Sequence, residues 1–237
     1  MRARGAGGTG EGGGAVREVA AAIRTGLREG TLGTGTRLGQ AALAALYGTS
    51  RGVAHQAMTV LVEDSLATFD GPSHIVLIRP RVADVVENFE IRIALECLAI
   101  ELAATRLTEA DLVKLRSLLP GMRATLTPER MRETGRLNPQ FHRVINEAAA
   151  RPLLLRLIEE ARQTGRAFHA LLYDPPDVPY RDELQGEHEA ICAALEERDG
   201  ERASTLLRAH LAHNQDRILG MLRVPDEDAR APDEDAR

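Results

Sequence analysis

Histidine is the residue type whose placement most clearly suggests chemistry in this 237-residue chain, which holds seven histidines. Taken singly, each of them fits an ordinary core or surface residue. Three of them share helical stripes with apolar residues: His142 with Ile145 and Ala149, His188 with Leu184, Ile191 and Leu195, and His210 with Leu206, Leu207 and Ile218. Such stripes face a protein core, where unpaired imidazoles are costly and a shared cation removes the cost. The spacing therefore predicts one metal centre in a helical bundle.

Imidazole nitrogens suit zinc, nickel, copper or iron, and we expect zinc, with nickel as the second choice. Three or four protein ligands would leave a position open for a small carboxylate. A metal held by histidines also fits a hydrolase or lyase, which is the alternative function. Glu187 and Glu189 flank His188, but adjacent residues on a helix point in different directions. Because no general base is placed by these motifs, we expect the chain not to be an enzyme.

The region that carries these histidines, residues 81–222, is predicted to be an antiparallel bundle of helices. Apolar periodicity predicts helices over residues 84–106, 108–119, 138–150, 153–172, 182–198 and 201–222. Thr108 and Asp111 resemble a capping box, and Asn138 before Pro139 is typical of a helix N-cap. Cys97 and Cys192 are expected to be buried thiols without a metal or disulfide role.

The front region, residues 15–80, has the pattern of a winged helix-turn-helix. Helical stripes are predicted over residues 16–27, 41–47 and 51–64, the last with Ser50 as its N-cap. Two apolar runs, Leu66–Phe69 and Ile75–Ile78, flank a Gly71-Pro72 turn and predict a two-stranded hairpin. The expected fold class is therefore mainly α, with a winged helix-turn-helix before an α-helical bundle.

The two ends of the chain are predicted to be disordered tails, residues 1–14 because they are rich in glycine and residues 223–237 because they are acidic. The sequence shows no secretory signal and no apolar run long enough to span a membrane, so we expect a cytoplasmic protein. The net charge is −5. Residues 15–80 hold six arginines against five acidic residues, so a nucleic-acid surface would lie at the front and be electrostatically weak.

The whole pattern resembles the GntR superfamily of transcriptional regulators, in the FadR-type branch with an FCD ligand-binding domain. The front match is VAAAIRTGLREGTLGTGTRLGQAALAALYGTSRGVAHQAMTVLVEDSLA, residues 19–67. The rear match rests on ENFEIRIALECLAIELAA, NPQFHRVINEAA, EHEAICAALEERD and AHLAHN. The resemblance implies a homodimer that binds double-stranded operator DNA, commonly as a repressor, and a small organic effector, often a carboxylate, held in the helical domain.

For the front domain, the resemblance places the start of the second helix of the helix-turn-helix in the major groove and the wing near the DNA backbone. The DNA-contacting residues expected from it are Arg37, Thr49, Ser50, Arg51, Gly52, His55, Ser73 and His74. His55 stands where relatives commonly have arginine, and His74 stands where glycine is usual. Fewer cations imply weaker, less salt-sensitive DNA binding. A sensor protein whose winged helix-turn-helix binds DNA only weakly is therefore an alternative function.

For the rear domain, the resemblance places the metal-binding histidines of FCD domains at His142, His188 and His210. Much of the family has an aspartate as fourth ligand where this chain has Asn138, which either ligates through its carbonyl oxygen or only caps its helix. The family also places an effector-binding arginine at Arg92, for which an ion pair with Glu96 is the alternative role. Asn214, one turn after His210, is a further candidate for the effector pocket.

Overall fold

The computed structural model describes residues 9–125, 131–172 and 178–222. The described residues form two compact units, one from residues 9–81 with residues 219–222 and the other from the described residues between 82 and 218. The predicted fold class is confirmed: the chain is mainly helical, with a small sheet in the front unit. The acidic tail and the first eight residues of the predicted N-terminal tail lie outside the described residues.

Residues 9–81 of the front unit form three helices and three short strands. In chain order they are α1 (Thr9–Arg28), β1 (Arg37–Gly39), α2 (Gln40–Leu46), α3 (Arg51–Glu63), β2 (Ala67–Phe69) and β3 (His74–Leu77). Helix α1 begins at Thr9 and so includes residues 9–14, which the glycine content predicted to be disordered. The apolar stripe of α1 packs against α3. A helix nucleated by that packing extends at low cost, because propagation is easier than nucleation.

The wing is a three-stranded antiparallel sheet in the order β1-β3-β2, where the sequence predicted a two-stranded hairpin. Strand β1 pairs with β3, with Leu38 opposite Ile75. A turn with Gly35 at φ +86° leads into β1, a conformation that glycine adopts without strain. The sequence could not reveal β1 because three residues are too few for an alternating pattern, and its pairing partner is remote in the chain.

The rear bundle is formed by α4 (Val82–Ala104), α5 (Glu109–Ala124), α6 (Met131–Ala148), α7 (Pro152–Thr164), α8 (Arg166–Leu172), α9 (Val178–Glu196) and α10 (Gly200–Leu222). Helix α4 contacts α6 and α7, while α5 contacts α6 and α9. The predicted capping box is confirmed at the start of α5, where Thr108 and Asp111 bond reciprocally. Both cysteines are buried, as expected.

Several helices in the bundle differ from the sequence prediction: α5 runs past Pro120 to Ala124 and α9 begins at Val178, but the larger differences concern α6 and the predicted helix 153–172. Helix α6 begins at Met131, so Asn138 and Pro139 lie inside it and Asn138 is not an N-cap. An interior proline removes one backbone hydrogen bond from a helix, and Pro139 lies exposed on α6. The predicted helix 153–172 is divided into α7 and α8 at Gly165, whose N–H bonds to Ala161 O at 3.0 Å. Glycine has low helix propensity, which suits it to this junction.

Among the helices in the described part of the chain, none combines the length and apolarity needed to cross a membrane.

Candidate metal centre and DNA-binding surface

Three histidines from three helices meet inside the rear bundle. His142 comes from α6, His188 from α9 and His210 from α10, and each is no more than 3% exposed. Their ring centroids lie 5.6 Å apart for His142 and His188, 5.4 Å for His142 and His210, and 4.5 Å for His188 and His210. One potential ligand atom from each ring lies within 4.8 Å of the other two. The sequence thus predicted a convergence that this structure contains.

Hydrogen bonds fix the tautomers of two of these rings. His188 Nδ1 lies 2.7 Å from Leu184 O, and His210 Nδ1 lies 2.9 Å from Glu187 Oε2. A carbonyl and a carboxylate can only accept, so each Nδ1 carries the proton and each Nε2 keeps its lone pair. Asn214 Nδ2 lies 3.2 Å from His210 Nε2, which matches an acceptor there. His188 Nε2 is buried and has no hydrogen-bond partner.

This donor set fits a divalent transition metal. A buried, unpartnered imidazole nitrogen is an energetic cost that coordination removes. Metal-bound histidines usually donate their second ring nitrogen to a carbonyl or carboxylate, as His188 and His210 do here. A bound ion would act as a Lewis acid for an anionic ligand. The three imidazoles would hold that ion.

The surroundings of His142 are a buried network of charges. Glu96 Oε2 lies 3.7 Å from His142 Nδ1. The same carboxylate accepts from Arg92 Nε at 2.8 Å and from Arg162 at 2.7 Å. Burial opposes ionisation of Glu96, but Arg162 and Arg92 together hold its pKa below the usual range. Two guanidinium groups thus share one carboxylate beside the histidine cluster.

Burial also lowers the pKa of His142 and of His188 well below that of a free histidine, with Arg162 and His210 reinforcing the effect at His142. Both rings are therefore neutral in the metal-free protein at neutral pH. Neutral imidazole is the form that binds metal, so proton competition is weak.

This neutrality predicts a pH dependence of stability for metal-free protein. Unfolded histidines titrate near pH ~6.5, so below that pH the unfolded chain binds protons that His142 and His188 in the folded chain do not. The free energy of unfolding should be level above pH ~6.5. Below it, the free energy should fall by up to about 1.4 kcal/mol per group per pH unit until the folded groups titrate. Denaturant unfolding of chelator-treated protein between about pH 7.5 and 5.5 measures this. A His188→Gln variant should show a shallower loss, and stability that holds or rises on acidification would contradict it.

The remaining residues predicted for the rear site lie close to the cluster. Asn138 is buried on α6 one turn before His142, so both side chains lie on the same side of the helix. Arg92 is 1% exposed and makes the ion pair with Glu96 that was its alternative role. Asn214 is buried and donates to His210 O at 2.9 Å.

Glu187 is the neighbour of the cluster that sequence reasoning missed. As expected from their adjacent positions on α9, Glu187 contacts neither ring nitrogen of His188. It bonds instead across to α10, to His210 and His213. Burial opposes its ionisation, but the hydrogen bonds from His210 and His213 lower the pKa of Glu187 below the usual value. A two-histidine repeat at i and i+3 was the signal that could have pointed to a shared acceptor.

In the front unit, the start of α3 is held in a defined geometry. Ser50 is its N-cap, with the hydroxyl accepting from Val53 N at 3.2 Å. Gln40 at the start of α2 donates to Arg51 O at 2.9 Å, which ties the two helices together. Arg51, Gly52 and His55 are exposed, and Thr49 is half-buried. The predicted residues of the second helix therefore form one accessible surface.

The wing holds the other predicted DNA-contacting residues. Arg37 Nε donates to Asp70 Oδ2 at 2.6 Å, and this hydrogen bond lowers the pKa of Asp70. His74 Nδ1 lies 3.1 Å from Ser73 Oγ, and its ring covers Gly39, where a Cβ would come within 3.0 Å of Nε2. The His55 ring lies 6.1 Å from that of Phe69. Because Asp70 offsets Arg37, Arg51 is the cation on this surface with the clearest access to a phosphate or base.

Comparison with known proteins gives two family matches. Residues 87–213 match the FCD domain, and residues 15–71 match the bacterial regulatory proteins of the gntR family. The HTH-type transcriptional regulator YdhC of Bacillus subtilis is 28% identical over 84% of this chain and 88% of its own. The HTH-type transcriptional repressor RspR of Escherichia coli is 24% identical over 75% of this chain and 77% of its own.

The solved structure of E. coli McbR/YncC shares the fold, with a TM-score of 0.61, 22% sequence identity, and coverage of 88% of this chain and 99% of that one. The FCD match alone covers more than half of the sequence and contains all three clustered histidines. The winged unit precedes it in the order expected of the resemblance. The chain therefore belongs to the GntR family of bacterial regulatory proteins, in the FadR-type branch that carries an FCD domain, whose members are DNA-binding transcriptional regulators.

Proposed function

We propose that this regulator is a repressor whose helical domain senses a small organic acid through a bound divalent metal, with zinc as the expected ion. The observation that carries the proposal is the meeting of three buried imidazoles, one with an unpartnered Nε2. Repression is supported by the relative RspR, which is an HTH-type transcriptional repressor. Asn138 is the proposed fourth ligand, through its carbonyl oxygen, and its burial one turn before His142 supports that role.

The charges around the cluster favour an anionic effector. The guanidinium groups of Arg92 and Arg162 are balanced by the carboxylates of Glu96 and Glu187 around the cluster, so a divalent metal would add two uncompensated positive charges. In a buried site, such an excess strongly favours a ligand of opposite charge. A carboxylate can bind the metal with one oxygen and accept from Arg92 with the other. Asn214, packed on His210, is the proposed polar contact for the rest of the effector.

The proposed DNA-binding residues are those that the resemblance indicated: Arg37, Thr49, Ser50, Arg51, Gly52, His55, Ser73 and His74. The exposure of Arg51, Gly52 and His55 supports this role.

A homodimer would present two such surfaces, as palindromic operators require. Exposed apolar side chains on two packed helices, Ile91 and Leu98 on α4 and Leu153 and Leu157 on α7, support a self-association face. Sedimentation at twice the 25.8 kDa chain mass would test it.

The effector proposal predicts that a carboxylate releases DNA only from metal-loaded protein. The probe is a fluorescent duplex from the region upstream of the protein's own operon, titrated with zinc-loaded chain and a panel of small carboxylic acids. An effective acid should weaken DNA binding about 5–150-fold, the usual range of allosteric coupling. Its neutral amide should have no effect, since it lacks the charge that the metal and Arg92 would bind.

The control for this experiment is the same titration with chelator-treated protein, which should bind DNA but ignore the acid. An equal response without metal would contradict metal-dependent sensing. Failure of either form to bind any upstream duplex would favour the alternative of a sensor with a weakened DNA reader. Metal-dependent turnover of an acid in the panel, absent in His142→Ala protein, would favour the enzyme alternative.

A further inference from the structure

We propose that Glu187 is a positioning residue for the metal centre: it holds His210 in the metal-binding tautomer and supplies the negative charge that the ligand set lacks. This inference rests on the metal site of the proposed function. Glu187 would not bind the metal itself; it would act through its hydrogen bond to His210.

The geometry assigns the two histidines of the AHLAHN segment to different tasks. Glu187 Oε2 lies 2.9 Å from His210 Nδ1, and Oε1 lies 2.8 Å from His213 Nδ1. His210 is buried within the cluster, whereas the His213 side chain is 36% exposed and is not one of the three clustered ligands. His213 therefore anchors the carboxylate from outside, which keeps the other oxygen aimed at His210.

The bond to His210 decides which ring nitrogen can bind metal. A carboxylate only accepts hydrogen bonds, so Nδ1 must carry the proton and Nε2 is left with its lone pair. The His210 side chain is 1% exposed, so bulk water cannot fix the tautomer in its place. Without Glu187, the ring could protonate on Nε2 and present a donor to the cluster, which would oppose coordination.

Charge gives a second reason for the assignment. Three neutral imidazoles and the Asn138 amide bring no negative charge to a divalent ion. Glu96 lies beside His142, but it is already shared by the guanidinium groups of Arg92 and Arg162. Glu187 is paired with imidazoles instead. Its charge is therefore available to raise the basicity of His210, as carboxylate–histidine–metal arrangements do.

The test compares zinc affinity of the full chain and its Glu187→Gln variant, measured by competition with a chromogenic chelator. Glutamine keeps the size and can still accept from His210, but it lacks the charge. We expect affinity to fall about 10–100-fold, the usual effect of removing an outer carboxylate. The absorption spectrum of the cobalt(II)-loaded protein should change as well, because a less basic His210 imidazole alters the ligand field at the metal.

The matched control is Glu183→Gln, which removes a carboxylate from the same helix. Glu183 Oε2 lies 4.0 Å from His213 Nε2 and its side chain is 64% exposed. An exposed pair of this kind contributes little, so zinc affinity should stay within about twofold of the parent chain, which corresponds to less than 0.5 kcal/mol. Unfolding of both metal-free variants checks that the bundle is intact.

A second measurement on the unmodified chain keeps the proposal testable even where Glu187→Gln fails to fold. Imidazole nitrogen NMR of the metal-free protein should show His210 with its proton on Nδ1; a proton on Nε2 would overturn the inference. Equal zinc affinity in Glu187→Gln and the parent chain would overturn the contribution of the Glu187 charge while leaving the metal site standing. A parent chain that binds no zinc would overturn both.

Discussion

Replacing His188 with alanine is expected to weaken zinc binding at least about 100-fold, and so to lower the zinc content of purified protein below the one ion per chain expected of the parent. Four-ligand structural zinc sites are worth about 10–16 kcal/mol, so loss of one ligand should cost roughly 3 kcal/mol or more, a factor of at least ~100 in affinity. The measurement is elemental analysis of untagged protein purified without chelator, followed by zinc titration of stripped protein. This is the largest effect that we expect from a single substitution.

The reason lies in the position of His188 within the cluster. Its ring lies 4.5 Å from that of His210 and 5.6 Å from that of His142, so it joins the other two into one site. Its Nδ1 is already bonded to Leu184 O, which leaves Nε2 for the ion. Two imidazoles cannot hold a transition metal tightly against the water and buffer ligands that would complete its coordination.

His213→Ala is the matched control, because it removes a histidine from the same region that is outside the clustered set. Its zinc stoichiometry should stay at about one ion per chain. The affinity for zinc should fall less than in His188→Ala, because Glu187 loses only its hydrogen bond to His213. If zinc content is unchanged in His188→Ala, the ion is bound elsewhere. If it is lost equally in both variants, the distinction between the two histidines of α10 fails.

Replacing Arg51 with alanine is expected to weaken operator binding by about 1–3 kcal/mol, or roughly 5–150-fold. Arg51 is exposed at the first position of α3, where the Ser50 cap and the Gln40 hydrogen bond hold the helix start. The large share of binding assigned to one residue follows from the scarcity of cations on this surface, since Arg37 is paired with Asp70. Fluorescence anisotropy with the upstream duplex measures the change.

Arg17→Ala is the control for this substitution. Arg17 is an exposed arginine on α1, so its replacement removes the same charge and should leave the affinity for the operator duplex nearly unchanged. Repeating both titrations at several salt concentrations separates two roles for Arg51: a phosphate contact lowers the salt slope by about one, whereas a base contact relaxes sequence preference. Equal losses in Arg17→Ala and Arg51→Ala would reduce the effect to net charge and contradict the proposed surface.

Much of this architecture follows from local patterns in the sequence. The capping box at Thr108 and Asp111 and the cap at Ser50 are short-range signals, and both are formed. The stripes that carry His142, His188 and His210 predicted their burial, because a helix with one apolar side turns that side to the core. Three histidines that all face the core of one bundle are therefore expected to lie near one another.

What the sequence could not supply depended on contacts between distant segments. Strand β1 exists because β3 offers it hydrogen-bonding partners, and no local pattern encodes that pairing. Asn138-Pro139 has the local form of a helix start, yet α6, which packs against α5 and α4, begins at Met131. The link from Glu187 to His210 joins α9 to α10, and only the packing of the two helices brings those side chains together.

Anomalous X-ray diffraction from crystals of protein purified without chelator would test the metal centre most directly. We predict one anomalous peak in each chain, about 2.0–2.1 Å from Nε2 of His188 and of His210 and from one ring nitrogen of His142, which is the bond length of zinc to histidine. An absence of any peak among these three imidazoles in crystals soaked with zinc would contradict the account.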